Sequence, residues 1–135
     1  MTFLLDTNVV SELVRPRPDP KVRAWLASRD QVALSVISIE EIVFGIERAP
    51  AARRQRLAAW FDELLDNVTT IGEVTAATAR AAGELRARRT RTGRPVAQAD
   101  MLIAATALVH GWTLATRNVS DFEGCGVVLF NPFAS

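Results

Sequence analysis

Four carboxylates stand where the sequence could build a ligand site: Asp6, Glu41, Asp100 and Asp121. Asp6 directly follows the apolar run 3–5, a pattern typical of a buried strand that ends in a polar loop. Asp121 lies in the polar segment 116–121, which follows the apolar strand predicted over 112–115. An Asp in a loop also caps helices and turns, so Asp6 and Asp121 each have an ordinary structural interpretation. Both interpretations stay open from the sequence alone.

Asp100 gives the strongest single indication of a site. It begins the segment 100–109, whose helical pattern has almost no polar face, and such a helix should be buried on most sides. A carboxylate there must be paired, hydrogen-bonded or bound to metal, because unpaired burial is costly or forces protonation. The alternative is an Asp of the first helical turn, which the helix dipole favours.

Glu41 has a structural competitor. Ser38-Ile39-Glu40-Glu41 reads as a capping box, in which Ser38 would be the N-cap of a helix and Glu41 its partner. Gly45, four residues later on the same helical face, would let another element approach closely beside the Glu41 carboxylate. Glu40 lies about 100° away around the helix and is expected to face solvent. Structure and function explain Glu41 equally well.

Taken together, the four acids predict a site with oxygen ligands only. Mg²⁺ and Mn²⁺ prefer such ligands, and a bound cation would relieve the repulsion among several carboxylates. Metal-assisted hydrolysis of a phosphodiester is the chemistry this set favours. A phosphatase that works through a phosphoaspartate is disfavoured, because Asn8 rather than an acid stands two residues after Asp6. A phospho-receiver domain is disfavoured as well, because Ile71-Gly72-Glu73 offers no acceptor Asp at the end of the third strand. A catalytically silent binding module, acting through a DNA-binding partner protein, is the other alternative.

The elements that must position these acids alternate along the chain. Apolar runs predict strands over 3–5, 32–36, 68–71, 112–115 and 127–130, and helical spacing predicts helices over 9–14, 21–28, 38–47, 52–65, 74–89 and 96–110. Gly111 is placed to end the last helix. This order favours an α/β layered domain with a mainly parallel sheet of about five strands. Ligand sites in such sheets lie beyond the carboxyl ends of the strands, where the strand order reverses. The length of 135 residues predicts one domain over 1–135.

Composition narrows the setting. The single cysteine, Cys125, cannot form an intrachain disulfide and fits a reducing cytoplasm. No apolar stretch is long enough for a membrane span, and no export signal is recognisable. The lone histidine, His110, is expected to cap a helix end, and no arrangement of Ser, His and Asp for covalent catalysis is seen.

The basic residues are almost all arginine, and several of them are clustered. Of 16 basic residues only Lys21 is lysine, and five arginines crowd into nine positions: Arg86, Arg88, Arg89, Arg91 and Arg94. Such a cluster could track the phosphates of RNA. It could equally be a solvated helix end, where basic residues suit the dipole, or a docking surface for an acidic partner.

The chain resembles the PIN-domain ribonucleases, specifically the VapC-like toxins of type II toxin–antitoxin pairs and their FitB-like branch. Four segments in family order carry the resemblance: Leu4-Leu5-Asp6-Thr7-Asn8-Val9-Val10-Ser11, Ile39-Glu40-Glu41-Ile42 with Gly45, Ala99-Asp100 with Ile103-Ala104-Ala105, and Ala115-Thr116-Arg117-Asn118 with Asp121-Phe122. They span nearly the whole chain.

The resemblance implies a three-layer α/β/α sandwich and a Mg²⁺-dependent endoribonuclease, with Mn²⁺ as a possible substitute. It implies that Asp6 and Asp100 are the principal metal ligands, that Glu41 completes the pocket, and that Asp121 is the fourth acid. Some family members carry an acid where Asn118 stands, so either Asn118 or Asp121 would complete the site. Thr7, Asn8 and Thr116 would line the pocket with Asn118. A homodimer and a small cognate antitoxin, often DNA-binding, are also implied.

Overall fold

A computed structural model describes residues 1–68 and 70–134. The strands and helices follow one another along the chain as β1 (Phe3–Leu5), α1 (Thr7–Glu12), α2 (Pro20–Ala27), β2 (Val32–Ser35), α3 (Val36–Glu47), α4 (Ala51–Asn67), β3 (Thr70–Gly72), α5 (Ala76–Arg91), α6 (Gln98–His110), β4 (Thr113–Ala115), α7 (Val119–Phe122) and β5 (Leu129–Phe130). The predicted alternation of strands and helices is confirmed.

The five strands form one parallel sheet in the order β3-β2-β1-β4-β5. The chain therefore builds outward from β1 on one side through β2 and β3, and on the other through β4 and β5. The order reverses between β1 and β4, so the crevice beyond the carboxyl ends of these two strands is the place where a ligand site is expected.

Alternating side chains of β1 build a core on each face of the sheet. Leu4 belongs to a core with α5 and α6, which includes Leu85 and Ile103. Phe3 and Leu5 face the opposite core, to which α1, α2, α3 and α4 contribute. Helices thus cover both faces of a parallel sheet, which confirms the predicted α/β/α sandwich.

Several predicted boundaries differ from the structure. The third strand, predicted over 68–71, is observed at Thr70–Gly72, and Thr69 lies outside the described residues. The one-turn helix α7 stands where a polar loop was expected. Gly111 ends α6 in the left-handed conformation, with φ of 68°, as predicted. In the described part of the chain, no helix has both the length and the apolar character needed to cross a membrane.

Candidate active site

The polar residues that follow β1 and β4 meet at the point where the strand order reverses. Asp6 comes directly after β1 and Thr116 directly after β4. The Thr116 hydroxyl donates a hydrogen bond of 2.8 Å to Asp6 Oδ2, across 110 residues of sequence. The predicted meeting of these two segments at one sheet edge is confirmed.

Asp6 is a buried carboxylate that three donors hold in place. Its Oδ1 accepts a 2.8 Å hydrogen bond from the Thr7 backbone N–H, which makes Asp6 the N-cap of α1. Its Oδ2 accepts from Thr116 and, at 3.2 Å, from Asn8 Nδ2. The capping interpretation is therefore confirmed, but it accounts for only one of the two oxygens. Burial is the main cause of a raised pKa for Asp6, and the charge of Glu41 adds to it against the lowering effect of these hydrogen bonds.

Glu41 is tied to Asp6 through Thr7. The Thr7 hydroxyl donates to Glu41 Oε1 at 2.7 Å and lies 2.9 Å from Ser38 Oγ. The predicted capping box is wrong, because the N-cap of α3 is Ser35, whose hydroxyl accepts from the Ile37 N–H at 3.0 Å. Ser38 and Glu41 lie inside the helix instead, so capping no longer explains Glu41.

The close approach expected at Gly45 is also wrong. A Cβ built on Gly45 would meet no described atom within 4 Å, so no other element of the chain packs there. Gly45 instead lines an open groove between α1, α3 and α4, together with Glu41, Leu57 and Trp60. The groove therefore begins beside the Glu41 carboxylate.

Asp100 is half-buried and lies in the first turn of α6. This position agrees with the alternative of a first-turn Asp that the helix dipole favours. No hydrogen bond or ion pair joins its carboxylate to another residue within 1–68 and 70–134. Its pKa is raised from 3.8 to about 6, first by burial and then by the charges of Asp6, Asp121 and Glu41. Asp121 is exposed on α7 and lines a cavity of about 350 Å³ together with Asp100. The four predicted acids therefore share one electrostatic environment.

The segment after β4 is built around the Thr116 hydroxyl. This oxygen accepts from the Asn118 backbone N–H at 3.0 Å while it donates to Asp6. Asn8 Oδ1 accepts from the Arg117 N–H at 3.2 Å, which links the loops after β1 and β4 a second time. Thr7, Asn8 and Thr116 thus contact Asp6 or Glu41, and their role in lining a pocket stays a prediction. The Asn118 side chain is exposed and makes no capping bond to α7.

The arrangement fits an ion that needs few protein ligands. Among the described residues, no three acidic, His or Cys side chains converge closely enough to hold a metal by themselves. Mg²⁺ commonly keeps several waters and binds through one or two carboxylates, whereas a structural zinc site is closed by four protein ligands. Burial raises the pKa of Asp100, and the charges of Asp6, Asp121 and Glu41 raise it further, so a cation bound here would stabilise the ionised carboxylate.

Comparison with known proteins agrees with this geometry. The family model of the PIN domain matches residues 3–123, a range that contains all four acids. The chain belongs to the PIN-domain family. The predicted resemblance is therefore confirmed at the level of the family.

Two relatives and one solved structure place this PIN domain more closely. The chain is 36% identical to "VapC ribonuclease Y4jK" of Sinorhizobium fredii over 144 residues, which cover 97% of each protein. It is 33% identical to "Toxin FitB" of Neisseria gonorrhoeae over 138 residues, covering 97% of this chain and 98% of FitB. The structure of FitAB bound to an IR36 DNA fragment superimposes with a TM-score of 0.86 at 33% identity, covering 98% of this chain and 96% of that one. These similarities confirm the predicted VapC and FitB relationship.

The five clustered arginines of this PIN domain do not share one environment. Arg86, Arg88, Arg91 and Arg94 are exposed, whereas Arg89 is only 6% exposed. Arg89 donates through both terminal nitrogens to backbone carbonyls, those of Glu123 and Asp121. A contact from Arg89 to RNA, one of the possibilities at the sequence level, has no support from this placement.

Two contacts were not predicted from the sequence: that of Ser38 with Thr7, and the hydrogen bonds from Arg89 to the carbonyl oxygens of Asp121 and Glu123. Ser38 is fully buried, and Arg89 reaches across 32 residues to the Asp121 carbonyl. In the sequence, Arg89 was distinguished only by its place in an arginine cluster, and such a cluster predicts exposed side chains. His110 behaves as expected, since its Nδ1 lies 2.9 Å from the Thr106 carbonyl oxygen in the last turns of α6.

Proposed function

We propose that this PIN domain is a Mg²⁺-dependent endoribonuclease that acts as the toxin of a cytoplasmic toxin–antitoxin pair. The observation that carries the proposal is the assembly of four acids at the carboxyl edge of the sheet: Thr116 holds Asp6, Thr7 holds Glu41, and Asp100 and Asp121 line one cavity. A bound cation would relieve the repulsion among such acids, and it could then act on the phosphodiester of an RNA. The names of the relatives, a VapC ribonuclease and the toxin FitB, support the same activity.

The roles of the residues follow from their contacts. Asp6 and Asp100 would hold the metal, and bound Mg²⁺ would supply activation of water and stabilisation of charge on the phosphodiester. Thr116 and Asn8 orient the Asp6 carboxylate through Oδ2. Thr7 fixes Glu41 through Oε1, so Glu41 Oε2 remains available to hold a water or accept a proton. Asp121 would be the fourth acid, because it lines the same cavity as Asp100.

The RNA would approach along the exposed arginines. Arg94 lines the same cavity as Asp100 and Asp121, and Arg88 and Arg91 line a shallow depression on the outer face of α5. Positive charge therefore continues from the edge of the acidic site along one helix. Arginine grips phosphate with two parallel hydrogen bonds, so this surface suits the backbone of a nucleic acid.

The cognate antitoxin would occupy the groove that begins beside Glu41. Its floor includes Leu57 and Trp60 and its rim includes Arg53. The neighbouring Val43 and Phe44 are 44% and 56% exposed, so apolar surface continues beyond the groove. An extended or helical segment with apolar side chains and an acidic flank fits this surface, and it would also cover one side of the active site.

The activity is tested with metal-stripped protein and a mixed RNA substrate that includes transfer RNA. We expect no cleavage in chelator and new internal breaks when Mg²⁺ or Mn²⁺ is returned. Cleavage that persists in chelator contradicts metal dependence. A folded protein that cuts no RNA under any of these conditions but binds its partner on DNA supports the silent binding module instead.

A further inference from the structure

Arg89 is a buried cation on the side of α5 that faces the segment carrying Asp121. One terminal nitrogen donates to the Asp121 carbonyl oxygen at 2.8 Å, and the other donates to the Glu123 carbonyl oxygen. The planar guanidinium fork suits two carbonyls at a fixed spacing, which a single ammonium group cannot match. The neighbouring Arg88 and Arg91 are exposed and make no such contact with the described residues.

The charge of Arg89 is not neutralised by a direct partner. No carboxylate among residues 1–68 and 70–134 lies within ion-pair distance of its guanidinium, and its buried Nε has no hydrogen-bond partner there. Burial of an arginine in this way is costly unless charge or dipoles compensate it. The two carbonyls supply the dipoles. Arg89 also lines the cavity that contains Asp100 and Asp121.

The segment that Arg89 holds cannot hold itself. Helix α7 has only four residues and no side-chain cap, and a single helical turn is unstable by itself because nucleation is unfavourable. Its other main anchor is Phe122, which is 1% exposed in the core below. Phe122 fixes the depth of the segment, whereas the two hydrogen bonds from Arg89 fix its carbonyls and hence the direction of Asp121.

We propose that Arg89 is a positioning residue of the acidic site. It holds residues 121–123 so that Asp121 stands beside Asp100 at the cavity that both acids line. Removal of Arg89 loosens this segment and weakens metal binding, although Arg89 touches neither metal nor RNA. The effect of Arg89 on catalysis rests on the proposed function. The effects of Arg89 on metal binding and on the order of residues 121–123 do not rest on it.

The test compares Arg89→Met and Arg89→Lys with Leu85→Ala, a control in the same helix. Leu85 is 3% exposed in the core between the sheet, α5 and α6, so its truncation destabilises α5 without removing a bond to residues 121–123. Mn²⁺ affinity is measured by electron paramagnetic resonance, and amide protection of residues 119–125 by hydrogen exchange. Residues outside the ligand shell commonly change metal affinity by about 10–100-fold.

We expect Arg89→Met to lose at least about tenfold in Mn²⁺ affinity and to lose protection at Asp121 and Cys125, whose N–H groups bond within this segment. Arg89→Lys keeps a donor for one of the two carbonyls but not the fork, so it should recover only part of the affinity and little of the protection. Leu85→Ala should keep the Mn²⁺ affinity, and because Leu85 shares a core with α6, Phe122 and Cys125, its loss of protection should extend over α5 and α6 rather than centre on residues 121–125. Equal Mn²⁺ affinity in Arg89→Met and Leu85→Ala overturns the proposal. If Arg89→Met does not fold, wild-type protection in Arg89→Lys overturns it.

The two proposals fail separately. If wild type binds Mn²⁺, the Arg89 variants bind it weakly and no protein cuts RNA, the proposed function fails and the positioning role stands. If wild type cuts RNA and the Arg89 variants bind Mn²⁺ as wild type does, the positioning role fails and the proposed function stands.

Discussion

At the scale of residues, two threonine hydroxyls organise the acidic site. Thr116 donates to Asp6 and Thr7 donates to Glu41, so each of these carboxylates has one oxygen fixed by a hydroxyl. Asp100 has no such donor among the described residues, and its pKa is raised to about 6. The site therefore combines two oriented acids with one whose charge is poorly compensated, an arrangement that a cation stabilises.

Substitution of Thr7 tests the orientation of Glu41. Thr7→Val removes the hydroxyl but keeps the side-chain shape, and we expect kcat/KM for RNA cleavage to fall at least about tenfold, the size of one hydrogen bond to a charged group. Thr7→Ser keeps the donor and should retain most of the activity. Equal rates in the Val and Ser variants would show that the hydroxyl does not act through Glu41.

The raised pKa of Asp100 predicts a pH-dependent stability of the metal-free protein. Folding disfavours the ionised carboxyl, so the penalty is absent below the ordinary pKa of 3.8 and complete above about 6. In chelator, Asp100→Asn should therefore melt higher than wild type at pH 8, and the difference should shrink toward pH 4. Glu40→Gln, an exposed change in α3, serves as the control. A difference that stays constant with pH contradicts this assignment.

At the scale of elements, short helices and tight contacts decide what surrounds the site. The carboxyl edge is assembled from the starts of α1, α6 and α7 and the second turn of α3. Gly72 in β3 lies against the α6 layer, where an added Cβ would come within 2.7 Å of Thr106 Cγ2 and 3.3 Å of Trp112. Gly83 in α5 has no atom within 4 Å of the same position.

These two glycines make a matched pair for stability. Gly72→Ala must displace the fully buried, β-branched Thr106, and overpacking of this kind costs about 1–3 kcal/mol. Gly83→Ala adds a methyl group to open space inside a helix and should stabilise by about 0.5–1 kcal/mol. Urea unfolding measures both. A stabilising Gly72→Ala or a destabilising Gly83→Ala would show that the packing around α5 and α6 differs from this description.

The sequence predicted the alternation of elements well and their ends less well. The segment 100–109 identified α6 because a helix with almost no polar face must be buried on most sides. The start of α3 was misplaced because Ser35 and Ser38 are both good N-caps, and only the register of β2 decides between them. Helix α7 was missed because four residues carry no periodic signal and tertiary contacts hold them in place.

The same contrast holds within the site. Asp6, Asp100 and Asp121 could be selected because each follows a strand or lies in the first turn of a helix, and parallel strands bring their carboxyl ends to one edge. Glu41 was selected through a helix start that the structure places three residues earlier, at Ser35. Contacts such as Thr7 with Ser38, 31 residues apart, depend on how α1 packs on α3 and leave no trace in local spacing. The burial of Arg89 within an arginine cluster is hidden for the same reason.

At the scale of the whole molecule, charge is separated between an acidic crevice and an arginine-rich helix. Without the four site acids, the remaining 11 acidic residues face 16 basic ones, so the surface outside the crevice attracts phosphate. The predicted homodimer stays a prediction, and light scattering would measure it as a particle of twice the monomer mass.

Removal of one arginine tests the RNA surface. Arg94→Gln, at the edge of the acidic cavity, should weaken RNA binding and reduce the salt dependence of log Kd by about 0.7, the value for one phosphate contact on a single strand. Arg23→Gln, an exposed change in α2 on the other helical layer, should leave both unchanged. Equal effects of the two substitutions would show that attraction is diffuse and that RNA makes no specific contact at Arg94, beyond the end of α5.

The central claim is that the four carboxylates form one metal-dependent site for RNA cleavage, and Asp100→Asn tests it most directly. The measurement is the single-turnover rate of RNA cleavage in saturating Mg²⁺, with Asp100→Asn compared with Glu40→Gln and wild type at equal folded fractions. We predict that Asp100→Asn loses at least about a hundredfold in rate, a change of roughly 2.7 kcal/mol in the barrier, and that Glu40→Gln retains the wild-type rate. Cleavage by Asp100→Asn at the wild-type rate would contradict the claim.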